Sequence, residues 1–96
     1  MFLVLLTYTV PLDQVDPHLP AHRGFLSKNY AAGTFLLSGR KEPRDGGVIL
    51  AKAESRQALE AVLAQDPFHA HGIASYQIVP FTPTMAAPGF DALIGA

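Results

Sequence analysis

Four histidines, at positions 18, 22, 69 and 71, are the side chains here best suited to exchange a proton near neutral pH. His22 is the most informative of them. On a helix, Leu19, Leu26 and Tyr30 place it inside the apolar arc rather than on the solvated face. An inward imidazole has two readings, a core histidine satisfied by one acceptor or a proton-transfer group. Asp66 is the carboxylate that chain topology can bring to it, to hold its tautomer as general acid-base chemistry requires. Asp66 precedes Pro67 and is equally a helix cap and turn former.

The remaining candidates are weaker. His18 and His22 stand at i and i+4, a spacing that can present two metal ligands, but no carboxylate completes a known signature and no metal is expected. Arg23, Arg40, Lys41 and Arg44 suit a carboxylate or phenolate ligand through paired guanidinium hydrogen bonds, or are ordinary solvated surface. Gly46-Gly47 lacks the following Lys-Ser/Thr of a phosphate loop. Ser38 has no triad-like order of partners.

These groups must be positioned by one small domain, because 96 residues fill a single hydrophobic core. Seven basic against eight acidic residues give no electropositive excess for nucleic acid. The absence of cysteine removes disulfides, thiolate metal sites and a cysteine nucleophile together, and suits a reducing cytoplasm. The opening apolar run, Phe2 to Leu6, is too short and lacks the flanks of a signal peptide, and no segment is expected to span a membrane. Hydrophobic residues make up 49%, more than so small a core absorbs, so part of the apolar surface is expected to meet a partner subunit.

The pattern of elements is βαββαβ. Residues 2 to 9 read as a strand with apolar residues on both faces, Phe2, Val4, Leu6 and Tyr8 against Leu3 and Leu5. Asp16-Pro17 reads as the cap and first position of a helix running to about Ala32, with Gly33 closing it. Thr34 to Arg40 and Val48 to Ala53 are strands joined by a long hairpin loop, and Ser55 caps a second helix ending near Gln65. Residues 75 to 82 form a last strand, with Pro80 allowed only at an edge or bulge. Two such units close into an α+β, ferredoxin-like four-stranded antiparallel sheet of order 4-1-3-2, with both helices on one face. The other face keeps Leu3, Leu5, Val48 or Ile49, and Leu36 or Leu37, so a homodimer packed sheet to sheet is expected. All four histidines then collect at one pole with Tyr8, the hairpin loop and Asp66. The domain covers residues 1–83, and the apolar tail 84–96 is expected to dock on the partner subunit.

Several short motifs, in order, carry a resemblance. FLVLLTY at the start, His22-Arg23-x-Phe25-Leu26, Ala32-Gly33, Leu37-Ser38-Gly39, Gly46-Gly47-Val48-Ile49-Leu50, Asp66-Pro67-Phe68 and Phe81-Thr82-Pro83 together resemble the YCII-related (YciI-like) family over residues 1 to about 83. The resemblance implies a dimeric α+β barrel, the fold shared with muconolactone isomerase, and a pocket histidine and aspartate that fall on His22 and Asp66. It also implies isomerase-like or dehalogenating lyase-like chemistry in some members, on ring-derived substrates. Pro43-Arg44 after Glu42 and the tail lie outside the shared pattern. The expected function is a cofactor-free enzyme in which His22 shuttles a proton, Asp66 orients it, and Tyr8, Ser38 or Arg44 bind a small anionic or enolisable substrate. The alternatives are a noncatalytic dimeric module binding a small molecule or a protein surface, and a domain that only dimerises, with no pocket.

Overall fold

The central strand has two apolar faces, and the architecture follows from covering them. A computed structural model describes residues 1–96. Strand β1 (Phe2–Tyr8) pairs antiparallel with β3 (Gly46–Ala51) on one side and β4 (Ala74–Pro80) on the other, while β2 (Phe35–Arg40) flanks β3. The sheet order is β2-β3-β1-β4, the ferredoxin-like arrangement expected. Pro80 ends the edge strand β4 opposite Phe2, where its missing N–H costs the ladder nothing.

The first helical region departs from the sequence expectation. It starts earlier, as α1 (Leu12–Val15), passes through a 3₁₀ turn (Asp16–His18) and continues as α2 (Leu19–Ala31). Asp16 caps nothing with its side chain, because the chain is already helical before it. Pro17 sits within the 3₁₀ turn and Pro20 in the first turn of α2, where no intrahelical donor is lost. Gly33, at φ 78°, closes α2 in the left-handed conformation. The inward stripe of α2 is His22, Phe25, Leu26 and Asn29, spaced as one helical face, with Phe25 and Asn29 buried and Tyr30 at its margin. Asn29 is satisfied by the Phe25 carbonyl at 2.9 Å.

Helix α3 (Arg56–Leu63) starts as expected, Ser55 Oγ accepting from the Ala58 N–H at 3.0 Å. The short α4 (Pro67–Ala70) is capped by Asp66, whose Oδ1 accepts from the Phe68 N–H at 3.0 Å. Between the helices and the sheet lie Val4, Leu6, Val15, Phe35, Ile49, Leu59 and Phe68, all buried.

Two backbone details shape the pole where the hairpin lies. Residues Phe35 and Leu37 face the consecutive residues Ala51 and Leu50, so Leu36 is an extra residue in β2. This bulge breaks the alternation, turning both Phe35 and Ser38 toward the helices and Leu37 toward the open face. Gly46 lies against β1 so closely that a Cβ would fall 1.8 Å from the Leu6 carbonyl oxygen, which is the structural reason for glycine there.

The open sheet face carries Leu3, Leu5, Val48 and Leu50 partly covered, with Leu37 56%, Val79 37% and Phe81 42% exposed. The tail folds back along the chain it belongs to, with a 3₁₀ turn at Asp91–Leu93 and a bond from the Gly95 N–H to the Pro83 carbonyl. Phe90 and Ile94 stay exposed on it.

Candidate functional site

Asp66, the cap of α4, is fully buried, and a carboxylate in that position must be satisfied by donors. Three supply it. Besides the cap from Phe68, Oδ1 accepts from His22 Nδ1 at 2.8 Å, and Oδ2 accepts from the Tyr76 hydroxyl at 2.7 Å. The cap and the histidine-partner readings of Asp66 therefore describe one residue performing both. Since an ionised carboxylate only accepts, the proton between it and the ring lies on Nδ1, and Nε2 carries the free lone pair.

The imidazole lies flat on Phe68, with centroids 3.9 Å apart and planes 6° from parallel. Phe68 is itself steadied edge-on by Tyr8 at 5.8 Å. Every buried side-chain nitrogen and oxygen has a hydrogen-bond partner, so Nε2, which has none, opens onto solvent space. That space is a cleft of about 550 Å³, sized for a small organic molecule. Leu6, Tyr8, Leu19 and Leu26 give it apolar walls, and Arg23, Arg40 and Arg44 bring positive charge to it.

Four of the five residues singled out from sequence, Tyr8, His22, Ser38 and Arg44, line this cleft, and Asp66 stands directly behind His22. Ser38 reaches it because of the bulge at Leu36, and its hydroxyl bonds to the Tyr30 hydroxyl. Arg44 donates to the Asp16 carboxylate, which raises the guanidinium's pKa above its ordinary high value and fixes a positive charge at the cleft. Lys41 does not join the arginines; its Nζ bonds to Thr7 Oγ1 at 3.0 Å, away from the cleft. Of the four histidines only His22 lines it. His18 packs against His71 at 4.1 Å and His69 lies 5.8 Å from Tyr76.

Tyr76 was not visible as a site residue in the sequence. A tyrosine in an alternating strand reads as core packing, and only the pairing of Leu6 with Tyr76 turns it toward the helices and Asp66. Burial, and then the bond to Asp66 and the carboxylate's charge, push its hydroxyl above the ordinary tyrosine range. The unfolded chain releases this proton near pH 10, whereas the folded chain retains it, so the stabilisation is complete below about pH 10 and is lost as pH rises beyond it. Melting temperatures measured across the alkaline range should fall more steeply for the wild type than for Tyr76→Phe. Parallel curves would contradict the assignment.

The YCII-related domain matches residues 1–82. The chain belongs to the YCII-related family. A solved structure of this YCII-like fold, 5-chloro-2-hydroxyhydroquinone dehydrochlorinase (TftG) from Burkholderia phenoliruptrix AC1100 in complex with 2,5-dihydroxybenzoquinone, superposes with a TM-score of 0.72. It is 17% identical, and the match covers 86% of this chain and 95% of that one. At this identity the likeness establishes the fold alone. No curated protein matches the sequence. No helix is long and apolar enough to cross a membrane.

Proposed function

We propose that this YCII-related protein is a cofactor-free enzyme that moves a proton on a small, anionic, enolisable substrate, with His22 as the acid-base group. The observation that carries the reading is the His22–Asp66 bond at 2.8 Å behind a ring whose other nitrogen opens onto the cleft. Nε2 takes a proton from a carbon next to a carbonyl or on an electron-poor ring. The electron pair left behind moves onto the oxygen, and the Asp66 carboxylate stabilises the imidazolium that forms. The imidazolium then returns its proton to a second carbon, giving an isomer, or the electron pair expels a leaving group as its anion and the imidazolium gives its proton to water, giving an elimination product. Arg44, Tyr8 and Ser38 hold the substrate's anionic or oxygen end. The chemistry of the dehydrochlorinase with the same fold, on a chlorinated hydroxyhydroquinone, favours ring-derived substrates.

The test is a panel of chlorinated hydroxyhydroquinones and unsaturated lactones or ring-derived carboxylates, followed by NMR for isomer or halide-free product. Turnover of one class supports the reading. Binding without turnover across the panel favours the noncatalytic binding module.

Asp16 competes with a substrate anion for Arg44. Asp16→Asn should therefore bind benzoate, a one-ring carboxylate probe, severalfold more tightly in a calorimetric titration at low salt, because an exposed ion pair contributes modestly. Weaker binding would assign Asp16 to holding Arg44 in its binding position instead.

We further infer a homodimer through the open sheet face, where Leu37 and Val79 stand exposed beside Leu3, Leu5 and Leu50. Exposed Phe90 and Ile94 give the tail apolar side chains that can dock on the partner subunit. Sedimentation should give twice the 10.3 kDa chain mass for the wild type and a monomer for Leu37→Arg. A monomeric wild type would contradict the dimer.

A further inference from the structure

The two oxygens of Asp66 are not equivalent. Oδ1 serves both His22 Nδ1 and the Phe68 N–H, while the sole partner of Oδ2 is the Tyr76 hydroxyl, in a carboxylate with no exposed surface. We propose that Tyr76 is a positioning residue that locks the rotation and ionisation of Asp66 and thereby sets which nitrogen of His22 faces the cleft. This inference rests on the acid-base reading of His22, which it deepens.

The physical chain is short. An Oδ2 left without its donor is a buried, unsatisfied acceptor carrying part of the carboxylate's charge, which costs more than an unmade surface bond. The site can relieve it by turning the carboxylate, which breaks the arrangement at Oδ1, or by protonating Oδ2. Once the protonated acid turns so that its O–H meets the ring, the imidazole offers its bare nitrogen to that donor, so the tautomer reverses and Nε2 gains the hydrogen. An Nε2–H cannot accept the substrate's proton. Tyr76 is suited to prevent this, since it is itself held protonated by burial and by the carboxylate, and so remains a donor throughout the physiological range. Three separate elements meet here: His22 from α2, Asp66 from the α4 cap and Tyr76 from β4. The sheet edge is thereby tied to the base through a single hydroxyl.

The test is the ¹⁵N spectrum of the His22 ring in the full-length wild type and in Tyr76→Phe, which keeps the aromatic ring and removes only the hydroxyl. The wild type should show the Nδ1–H form, and Tyr76→Phe a mixture or the Nε2–H form at an unchanged fold. On a substrate from the panel, kcat should fall about tenfold or more, as for loss of a hydrogen bond to a charged group, with KM little altered. An unchanged Nδ1–H tautomer in Tyr76→Phe overturns the proposal. If Tyr76→Phe does not fold, the wild-type hydroxyl proton decides: a slowly exchanging resonance with contacts to Asp66 supports the lock, and its absence overturns it. The tautomer needs no substrate. A tautomer change with no effect of His22 substitution on turnover would therefore leave the lock standing and remove the acid-base reading.

Discussion

Replacing Asp66 by alanine is expected to lower the melting temperature by about 12 °C or more. The substitution strips three donors of their acceptor at once, the His22 ring, the Tyr76 hydroxyl and the Phe68 N–H, around a residue with no exposed surface. A buried donor left without its acceptor costs about 1–3 kcal/mol, so the three together cost about 3 kcal/mol or more. For a domain of this size each kcal/mol shifts the midpoint by about 4–8 °C. The lost cap of α4 acts in the same direction. Asp66→Asn keeps the side chain's volume and one acceptor oxygen, so it should unfold between the alanine variant and the wild type. Thermal unfolding followed by circular dichroism checks both, and an Asp66→Ala midpoint within a few degrees of the wild type would show that the network is not formed in solution.

His22→Ala is expected to abolish most turnover while costing less stability than Asp66→Ala, because the Asp66 carboxylate keeps the Phe68 N–H and the Tyr76 hydroxyl as donors. The ring is not sealed in the core, with 12% of its side chain exposed, and it stacks on Phe68 at the cleft wall. Removing a general acid-base group costs about 10²- to 10⁴-fold in rate. Steady-state kinetics on whichever substrate emerges from the panel measure the loss. Added imidazole should restore part of the rate by entering the vacated space. Unchanged turnover in His22→Ala would remove His22 from the chemistry, and a fall in melting temperature as large as that of Asp66→Ala would return it to the core-histidine reading.

Much of this was legible because period and punctuation carry it. The two-faced apolar pattern of Phe2 to Tyr8 places β1 in the middle of the sheet, and the order of elements then leaves one antiparallel arrangement. The spacing of Leu19, Leu26 and Tyr30 turns His22 inward, and Asp66 before Pro67 announces a cap. What stayed hidden depends on tertiary geometry. The bulge at Leu36 has no glycine or proline to mark it, yet it decides that Ser38 faces the cleft. Asp16 before Pro17 has the look of a helix start, but the chain turns helical at Leu12, which frees the carboxylate for Arg44. Lys41 sits among the arginines in sequence, and the hairpin carries it to Thr7 instead. Tyr76 differs in no local way from a packing aromatic, and only the register of β4 against β1 reveals its bond to Asp66.

The central claim is that His22 Nε2 takes a proton from carbon. It is tested most directly by NMR of deuterium wash-in, with panel compounds that bind in the cleft incubated in D₂O with the wild type or with His22→Gln. The account predicts deuterium at the acidic carbon with the wild type and loss of that exchange in His22→Gln, at comparable ligand affinity. Exchange at the same rate with both proteins would contradict it.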